Sequence, residues 1–284
     1  MMTIGICIRH VGEHLEEGFR NAGEMGFHYC QLLSWDRNLW TEEEADRIRT
    51  LCRQYEITIT EFWCGWDGPK VWNFTEGPAT LGIVPPEYRE ERCRNLLEGA
   101  AFARKLGIKD VATHMGFLPE NLTDPLWPGV CAAVKRLGES LKASGQNLLF
   151  ETGQETPVVL LRLFETVGTG NLFVNLDPAN LILYGKGNPV DALDLLGDYV
   201  RGVHAKDGLY PSGGLELGQE VRLGDGKVNF PALLRGLRAH GYQGSLTIER
   251  EITGEEQIRD IQYARELLEK ILWEMEQETE EAQC

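Results

Sequence analysis

Eight short β-rich runs alternate with longer amphipathic runs along the chain, and this alternation is the feature that most restricts its fold. The runs with strand character cover residues 3–8, 29–33, 57–63, 110–114, 147–151, 172–177, 200–204 and 245–249. Residues 41–55, 86–106, 127–143, 157–167 and 230–240 show the apolar periodicity of amphipathic helices. Strands that alternate with helices form parallel sheets, and eight such units in about 250 residues predict a single (β/α)8 TIM barrel of the α/β class.

The alternative α/β architecture is a doubly wound open sheet. It needs fewer strands and usually a glycine-rich phosphate turn after the first strand. The segment Ile8-Arg9-His10-Val11-Gly12 does not have that pattern. We therefore expect one barrel over residues 1–275, followed by an acidic C-terminal tail over residues 276–284.

Charge, hydropathy and cysteine content argue against a nucleic-acid-binding, a membrane-spanning or a secreted protein. The net charge is −16, whereas nucleic-acid binding needs clustered Lys and Arg, so we expect no nucleic-acid partner. No window approaches the roughly 18 apolar residues of a membrane span. The start of the chain lacks a basic segment followed by an apolar run, and the seven cysteines are odd in number and show no CxxC pair. These features predict a cytoplasmic protein.

Four acidic or imidazole side chains end the last four strand-like runs. They are Glu151, Asp177, His204 and Glu249, separated by 177 − 151 = 26, 204 − 177 = 27 and 249 − 204 = 45 residues. Each spacing is close to one strand–helix unit, and the last is lengthened by the glycine-rich loop at residues 207–229. The C-terminal ends of barrel strands meet on one face, so we expect these four side chains to converge there.

Three oxygen ligands and one nitrogen ligand predict a site for one divalent metal ion. Three carboxylates exceed the number in structural zinc sites. The oxygen-rich set favours manganese, cobalt, magnesium or zinc in a site with open coordination positions. Adjacent oxygens of a hydroxy-ketone are suitable ligands for such a site.

The residues around these positions resemble the xylose isomerase-like TIM barrel superfamily, in particular the sugar phosphate isomerase/epimerase group that includes ketose 3-epimerases. The resemblance covers essentially the whole chain. The segments that carry it are Leu149-Phe150-Glu151, Asn175-Leu176-Asp177-Pro178-Ala179-Asn180, Val203-His204-Ala205-Lys206-Asp207, Leu223-Gly224-Asp225-Gly226 and Thr247-Ile248-Glu249-Arg250.

The resemblance implies that Glu151, Asp177, His204 and Glu249 bind one divalent ion, and that Glu151 and Glu249 are also the catalytic acid/base pair. One position departs from the epimerase pattern. Those enzymes commonly carry a histidine three residues after the aspartate, whereas this chain has Asn180. We expect a different contact to a sugar oxygen there. The DNA-repair branch of the superfamily holds three zinc ions, for which the six histidines of this chain are too few.

Further residues at strand ends are candidates for contacting a substrate. His114 ends the fourth strand-like run and could contact substrate or orient Glu151. Lys206 could bind a substrate oxygen or pair with Glu249. The long loop at residues 64–86 carries aromatic residues suited to stacking on sugar rings or on a partner subunit, which leaves homo-oligomer formation open. The predicted substrate-binding residues are His114, Lys206, Asn180, Glu61, Trp66 and His10.

The sequence therefore predicts an enzyme of carbohydrate metabolism that isomerises or epimerises a sugar or sugar derivative through an enediolate. A lyase or dehydratase acting on a keto-sugar, keto-inositol or 3-keto-glycoside would use the same residues and is the alternative. A non-catalytic sugar-binding barrel is a second alternative. The absence of a glycine-rich phosphate cradle favours an unphosphorylated substrate.

Overall fold

Eight parallel strands close into a barrel in a computed structural model that describes residues 2–281. The barrel strands are β1 (Thr3–His10), β2 (Tyr29–Ser34), β3 (Thr58–Cys64), β4 (Asp110–Thr113), β5 (Asn147–Glu151), β6 (Leu172–Leu176), β7 (Val200–Ala205) and β10 (Ser245–Ile248). The barrel order is β1-β10-β7-β6-β5-β4-β3-β2, and every pairing between neighbours is parallel. The predicted single (β/α)8 barrel is confirmed.

Helices surround the barrel and connect its strands. They are α1 (Leu15–Glu24), α2 (Glu42–Tyr55), α3 (Gly77–Thr80), α4 (Pro86–Lys105), α5 (Trp127–Ala143), α6 (Pro157–Val167), α7 (Pro178–Leu183), α8 (Leu193–Leu196), α9 (Phe230–Ala239) and α10 (Glu255–Glu281). Local sequence sets several ends. The Thr41 hydroxyl accepts a hydrogen bond from the Glu44 amide and starts α2, and Gly168 at φ 63° ends α6.

The core has two parts. The larger part lies between the strands and the helices and takes apolar residues from nearly every element. A smaller cluster of Trp63, Trp66, Leu81, Ala112 and Leu149 includes inward-facing residues of neighbouring strands. This second cluster supports the C-terminal mouth of the barrel, where the candidate site lies.

The long β3–α4 loop is held by a buried arginine. Arg92 is inaccessible to solvent and donates to the carbonyl oxygens of Asp67 (3.2 Å), Pro69 (2.7 Å), Thr80 (2.8 Å) and Gly82 (2.6 Å). A guanidinium group with several donors in a fixed plane can fix several carbonyl groups at once. The loop therefore has a defined conformation although most of it is not in a helix or strand.

The second long loop contains a two-stranded antiparallel hairpin of β8 (Asp207–Leu209) and β9 (Gln219–Val221). The buried Asp207 carboxylate accepts hydrogen bonds from the amides of Gly224 (2.9 Å), Gly226 (3.0 Å) and Val228 (3.0 Å). A side chain at Gly226 would place its Cβ 2.0 Å from Asp207 Oδ1, so a glycine is required there. Asp207 thus organises the loop that follows His204.

The predicted acidic tail overlaps the last helix. Residues 276–281 continue α10, and residues 282–284 lie outside the described residues. The division at residue 275 stays a prediction. Within residues 2–281, none of the helices combines the length and apolar character needed to cross a membrane.

Candidate metal centre

Four side chains converge at the C-terminal ends of four adjacent strands. Glu151 is the last residue of β5, Asp177 follows β6, His204 lies near the end of β7, and Glu249 follows β10. One ligand atom from each lies within 4.8 Å of the others. The closed order of the barrel places the four strands that carry these residues side by side, with their C-terminal ends on one face, as the sequence predicted.

The imidazole of His204 lies at the centre of this group. Its Nδ1 is 3.3 Å from Glu151 Oε1, 3.3 Å from Glu249 Oε2 and 3.9 Å from Asp177 Oδ2. The side chains of Asp177 and His204 are inaccessible to solvent, and that of Glu249 is the most accessible of the four at 11%. The cluster is therefore open to the barrel mouth mainly on the Glu249 side.

The side-chain amides of Gln31 and Asn175 contact His204 at Nε2, the ring nitrogen that does not face the carboxylates. Its Nε2 lies 2.6 Å from Gln31 Oε1 and 3.1 Å from Asn175 Nδ2, and Gln31 also donates to Asn175 Oδ1 at 3.3 Å. The short contact to a carbonyl oxygen assigns a proton to Nε2. Burial disfavours the charged imidazole, but Glu151 and Glu249 outweigh burial and raise the pKa of His204 well above its ordinary value, so Nδ1 carries a proton as well. A metal ion that binds here would displace this proton and take the lone pair of Nδ1.

The donor set fits a divalent cation. Asp177 Oδ2 and His204 Nδ1 are buried and have no hydrogen-bond partner among the described residues. Buried polar atoms without hydrogen-bond partners are costly, and a bound cation would satisfy both atoms together with one oxygen from each glutamate. Three oxygens and one nitrogen suit magnesium, manganese, cobalt and zinc.

Lys206 supplies a buried positive charge beside the cluster. Its Nζ lies 3.1 Å from Glu249 Oε2, 3.6 Å from Asp177 Oδ2 and 2.7 Å from Glu251 Oε2. Burial raises the pKa of Asp177 to about 7 although Lys206 opposes the rise. Burial also raises the pKa of Glu249, but the positive charges of Lys206 and His204 outweigh burial and lower the pKa of Glu249 to about 2. Asp177 and Glu249 thus differ in pKa although both lie beside Lys206, and Glu249 is ionised at neutral pH.

Glu151 is held on the opposite side by three donors. The Trp63 indole N–H donates to Oε2, the Asn180 side-chain amide donates to Oε1 at 3.2 Å, and His114 Nε2 lies 3.3 Å from the same oxygen. Burial disfavours the charged form of His114, yet Glu151 raises its pKa above the ordinary value. The contact with Glu151 therefore favours the protonated form of His114.

A cavity of about 940 Å³ opens above the cluster. Of the predicted substrate-contact residues, His10, His114, Asn180 and Lys206 line this cavity. The two nitrogens of His10 are already engaged, by Ser34 Oγ at 2.9 Å and Glu44 Oε1 at 3.1 Å. His10 therefore contributes a ring surface to the cavity.

The structure places two of the predicted contact residues away from the cavity. Glu61 precedes Trp63 by two residues on β3, so both point into the barrel, but Glu61 lies lower, against Gly202 and Asn175. Trp66 is 1% exposed and packs behind Trp35 and Trp63. The prediction that these two residues contact substrate is not supported, because the depth along β3 and the direction of the loop were not readable from the sequence.

Sequence reasoning also missed residues that the structure brings to the site. Gln31 and Asn175 contact His204, whereas Trp35, Tyr184 and Glu251 line the cavity. Gln31 carried a usable signal, since it is a polar residue between Cys30 and Leu32 in a buried strand.

Comparison with known proteins places these features in a wider group. A sequence model of a family described as "Xylose isomerase-like TIM barrel" matches residues 19–271. The crystal structure of a xylose isomerase domain protein from Planctomyces limnophilus is 34% identical, with a TM-score of 0.89, and the match covers 95% of this chain and 97% of that one. The structure of L-ribulose 3-epimerase is 19% identical, with a TM-score of 0.72 over 100% of this chain and 99% of that one, and shows a shared fold.

Two curated relatives are also similar over part of the chain. An uncharacterized protein of Methanocaldococcus jannaschii is 25% identical over 208 residues, which are 69% of this chain and 66% of that protein. The inosose dehydratase of Lacticaseibacillus casei is 22% identical over 147 residues, which are 46% of this chain and 49% of that enzyme. The chain thus spans between about half and just under two thirds of the length of these relatives.

Proposed function

The chain belongs to the xylose isomerase-like TIM barrel family, and from this premise we propose that it is a divalent-metal-dependent enzyme that isomerises or epimerises a sugar or a sugar derivative. The reaction is a proton transfer at a carbon next to a carbonyl group. Manganese, cobalt, magnesium or zinc as the metal, a sugar as the small-molecule substrate and a cytoplasmic location are parts of this proposal.

One observation carries the proposal. Two glutamates, Glu151 and Glu249, converge on His204 Nδ1 at 3.3 Å each, beside a buried aspartate and beneath a large cavity. Asp177, Glu151, His204 and Glu249 are the residues that would hold the cation. When bound, a divalent cation would polarise a substrate carbonyl and stabilise negative charge on its oxygen.

The two glutamates have environments suited to different roles. Lys206 and His204 keep Glu249 ionised, which is the state required of a base that removes a proton from carbon. Glu151 contacts His114 and raises its pKa, and His114 in turn lowers the pKa of Glu151. In this proposal Glu151 passes a proton from His114 to the opposite face of the same carbon, and His114 then takes a proton from solvent. The proton taken up by Glu249 returns to solvent through the mouth of the cavity. Asn180 and Lys206 are placed to bind oxygens of the substrate.

A lyase or dehydratase is the second candidate, and the similarity to inosose dehydratase favours it. The first step would be the same removal of a proton by Glu249. The carbanion would then expel a leaving group from the neighbouring carbon, and the proton from His114 and Glu151 would go to that group. The two reactions differ in the product and share the first step.

The experiment that tests both is solvent exchange. The protein, loaded with manganese or magnesium, is incubated in deuterated water with a panel of keto-sugars and keto-inositols, and deuterium at carbon is followed by NMR. We expect incorporation by the wild type and its loss in Glu249→Gln, by about a hundredfold or more. Glu266→Gln, an exposed glutamate on α10, is the matched control and should exchange normally.

The products separate the candidates. A stereoisomer with deuterium at one carbon supports the isomerase or epimerase, and an unsaturated product with loss of water supports the dehydratase. Near-normal exchange in Glu249→Gln would remove this residue as the base. Absence of exchange with every keto-sugar would contradict the proposal and favour a barrel that binds sugars without catalysis.

A further inference from the structure

The cavity extends well beyond the four clustered residues. These residues come from β5, β6, β7 and β10, which form one half of the barrel. The other half, built from β1 to β4, contributes no member of the cluster yet also lines the cavity. A volume of about 940 Å³ is at the upper end of the range of roughly 300–1,000 Å³ found for small-molecule sites. A single sugar ring held at the cluster would leave this second half without an occupant.

An aromatic wall lines this second half. We define it as Trp35, Trp63 and Trp72, all of which face the cavity. The ring centroids of Trp35 and Trp63 are 4.9 Å apart, and Trp72 lies 5.1 Å from the ring of His114, which in turn contacts Glu151. The aromatic wall therefore starts beside the cluster and continues outward along one side of the cavity.

The aromatic wall is fixed in place by the surrounding backbone. A side chain at Gly65 would put its Cβ 2.4 Å from Trp35 Cε3, so the absence of a side chain lets the indole pack directly on the main chain. Lys70 Nζ lies 4.9 Å above the Trp35 ring. Arg92 holds both ends of the loop that carries Trp72. A surface with this support can bind a ring without first becoming ordered.

The outer end of the cavity combines exposed apolar side chains with charged ones such as Arg9, Asp36 and Lys70. Trp72 is 39% exposed and Val11 is 52% exposed, and both face the cavity. Single exposed apolar side chains are common in proteins, but two at the mouth of one cavity form a surface that a ligand can cover.

We propose that the outer half of the cavity is a second subsite, and that the substrate is a keto-glycoside, a glycoside whose sugar carries a carbonyl group at a ring carbon, with its attached ring stacked on the aromatic wall and its sugar at the four clustered residues. The attached ring is a second sugar or an aromatic group, since both present a flat face to an indole. This inference rests on the proposed function for the sugar at the cluster. It adds the class of substrate, a sugar joined to a ring.

The test is a binding measurement that does not depend on turnover. Isothermal titration of metal-loaded protein uses matched methyl and phenyl glycosides of glucose, galactose, mannose and xylose, together with disaccharides of the same sugars, as analogues that lack the ring carbonyl group and therefore bind without reacting. We expect at least one phenyl glycoside or disaccharide to bind about tenfold more tightly than its methyl counterpart, which corresponds to the upper range of one aromatic stacking contact. A preference for phenyl glycosides identifies an aromatic group as the attached ring, and a preference for disaccharides identifies a sugar.

Two variants locate the subsite. Trp72→Ala, which removes a partly exposed ring, should abolish the preference and leave the binding of methyl glycosides unchanged. Trp273→Ala is the matched control, because this tryptophan is 61% exposed on α10 and does not line the cavity. Trp35→Leu gives a second test, with its folded state checked by circular dichroism.

Equal affinity within every pair, absence of binding by all the glycosides, or a preference that survives both Trp72→Ala and Trp35→Leu would overturn the second subsite. The proposed function is judged separately by deuterium exchange with free keto-sugars. Exchange without a glycoside preference would reject the subsite alone. A glycoside preference without exchange would reject the proposed reaction and retain the subsite.

Discussion

Glu155 offers a test of how the protein tolerates a buried carboxyl group near the site. It lies in the loop between β5 and α6, is 2% exposed, and neither carboxyl oxygen has a hydrogen-bond partner among the described residues. Burial raises the pKa of Glu155 from 4.5 to about 8, because the partial compensation by His114 and Lys186 is smaller than the loss of hydration. The substitution Glu155→Gln removes the ionisable group and keeps the size of the side chain.

Because the pKa of Glu155 is raised in the folded protein, the free energy of unfolding decreases as the pH rises. Between about pH 4.5 and pH 8 the unfolded chain has released this proton while the folded protein retains it, so the free energy of unfolding falls as the pH rises. Each pH unit in this window lowers it by about 1.36 kcal/mol, and the full difference from 4.5 to about 8 amounts to about 5 kcal/mol. The loss is complete above about pH 8 and absent below about pH 4.5.

The assay is equilibrium unfolding in urea at several pH values from about pH 5 to about pH 9, with the same metal load in every sample. The variant has no proton to lose at this position, so the free energy of unfolding of Glu155→Gln relative to wild type should increase steadily with pH. Glu165→Gln, an exposed glutamate on α6, controls for the general effect of removing a negative charge. If the difference between wild type and Glu155→Gln did not change with pH, the assignment of a neutral, buried carboxyl group would be refuted.

Three further predictions follow from contacts around the site. Gln31→Leu removes the acceptor for His204 Nε2, so manganese affinity measured by titration calorimetry should fall by about 10- to 100-fold; unchanged affinity would show that the barrel alone orients the imidazole. Arg92→Lys cannot reproduce the four hydrogen bonds to the loop, and we expect urea unfolding to show a loss of roughly 3 kcal/mol, whereas a loss below about 0.5 kcal/mol would contradict this role. Lys206→Met removes the cation that lowers the pKa of Glu249, so the acidic limb of the pH–exchange profile should move to higher pH, and an unmoved limb would argue against Glu249 as the base.

Much of the fold and part of the site could be predicted from the sequence. The strand ends carrying Glu151, Asp177, His204 and Glu249 were placed to within one residue, because apolar periodicity and helix caps are local properties of the chain. Parallel strands in a barrel have their C-terminal ends on one face. The convergence of the four side chains therefore followed from their positions in the sequence.

Other features depended on how distant strands are aligned. Gln31 and His204 are 173 residues apart in sequence and are in contact only because the barrel closes between β10 and β1, which fixes the layer of inward-facing side chains to which each belongs. The same alignment put Glu61 beneath the cavity and Trp63 beside Glu151.

The direction of loop side chains was also a tertiary property. Trp66 and Trp72 lie in the same loop, yet Trp66 is buried and Trp72 faces the cavity. Arg92 fixes the conformation of this loop through the carbonyl groups of Asp67 and Gly82, which lie on either side of Trp72 in the sequence. The sequence by itself determined the number and order of the strand–helix units and which residues end them, since these depend on patterns within a few turns of chain. Only the tertiary structure decided the depth and direction of each side chain, since these depend on the stagger of strands that are far apart in sequence.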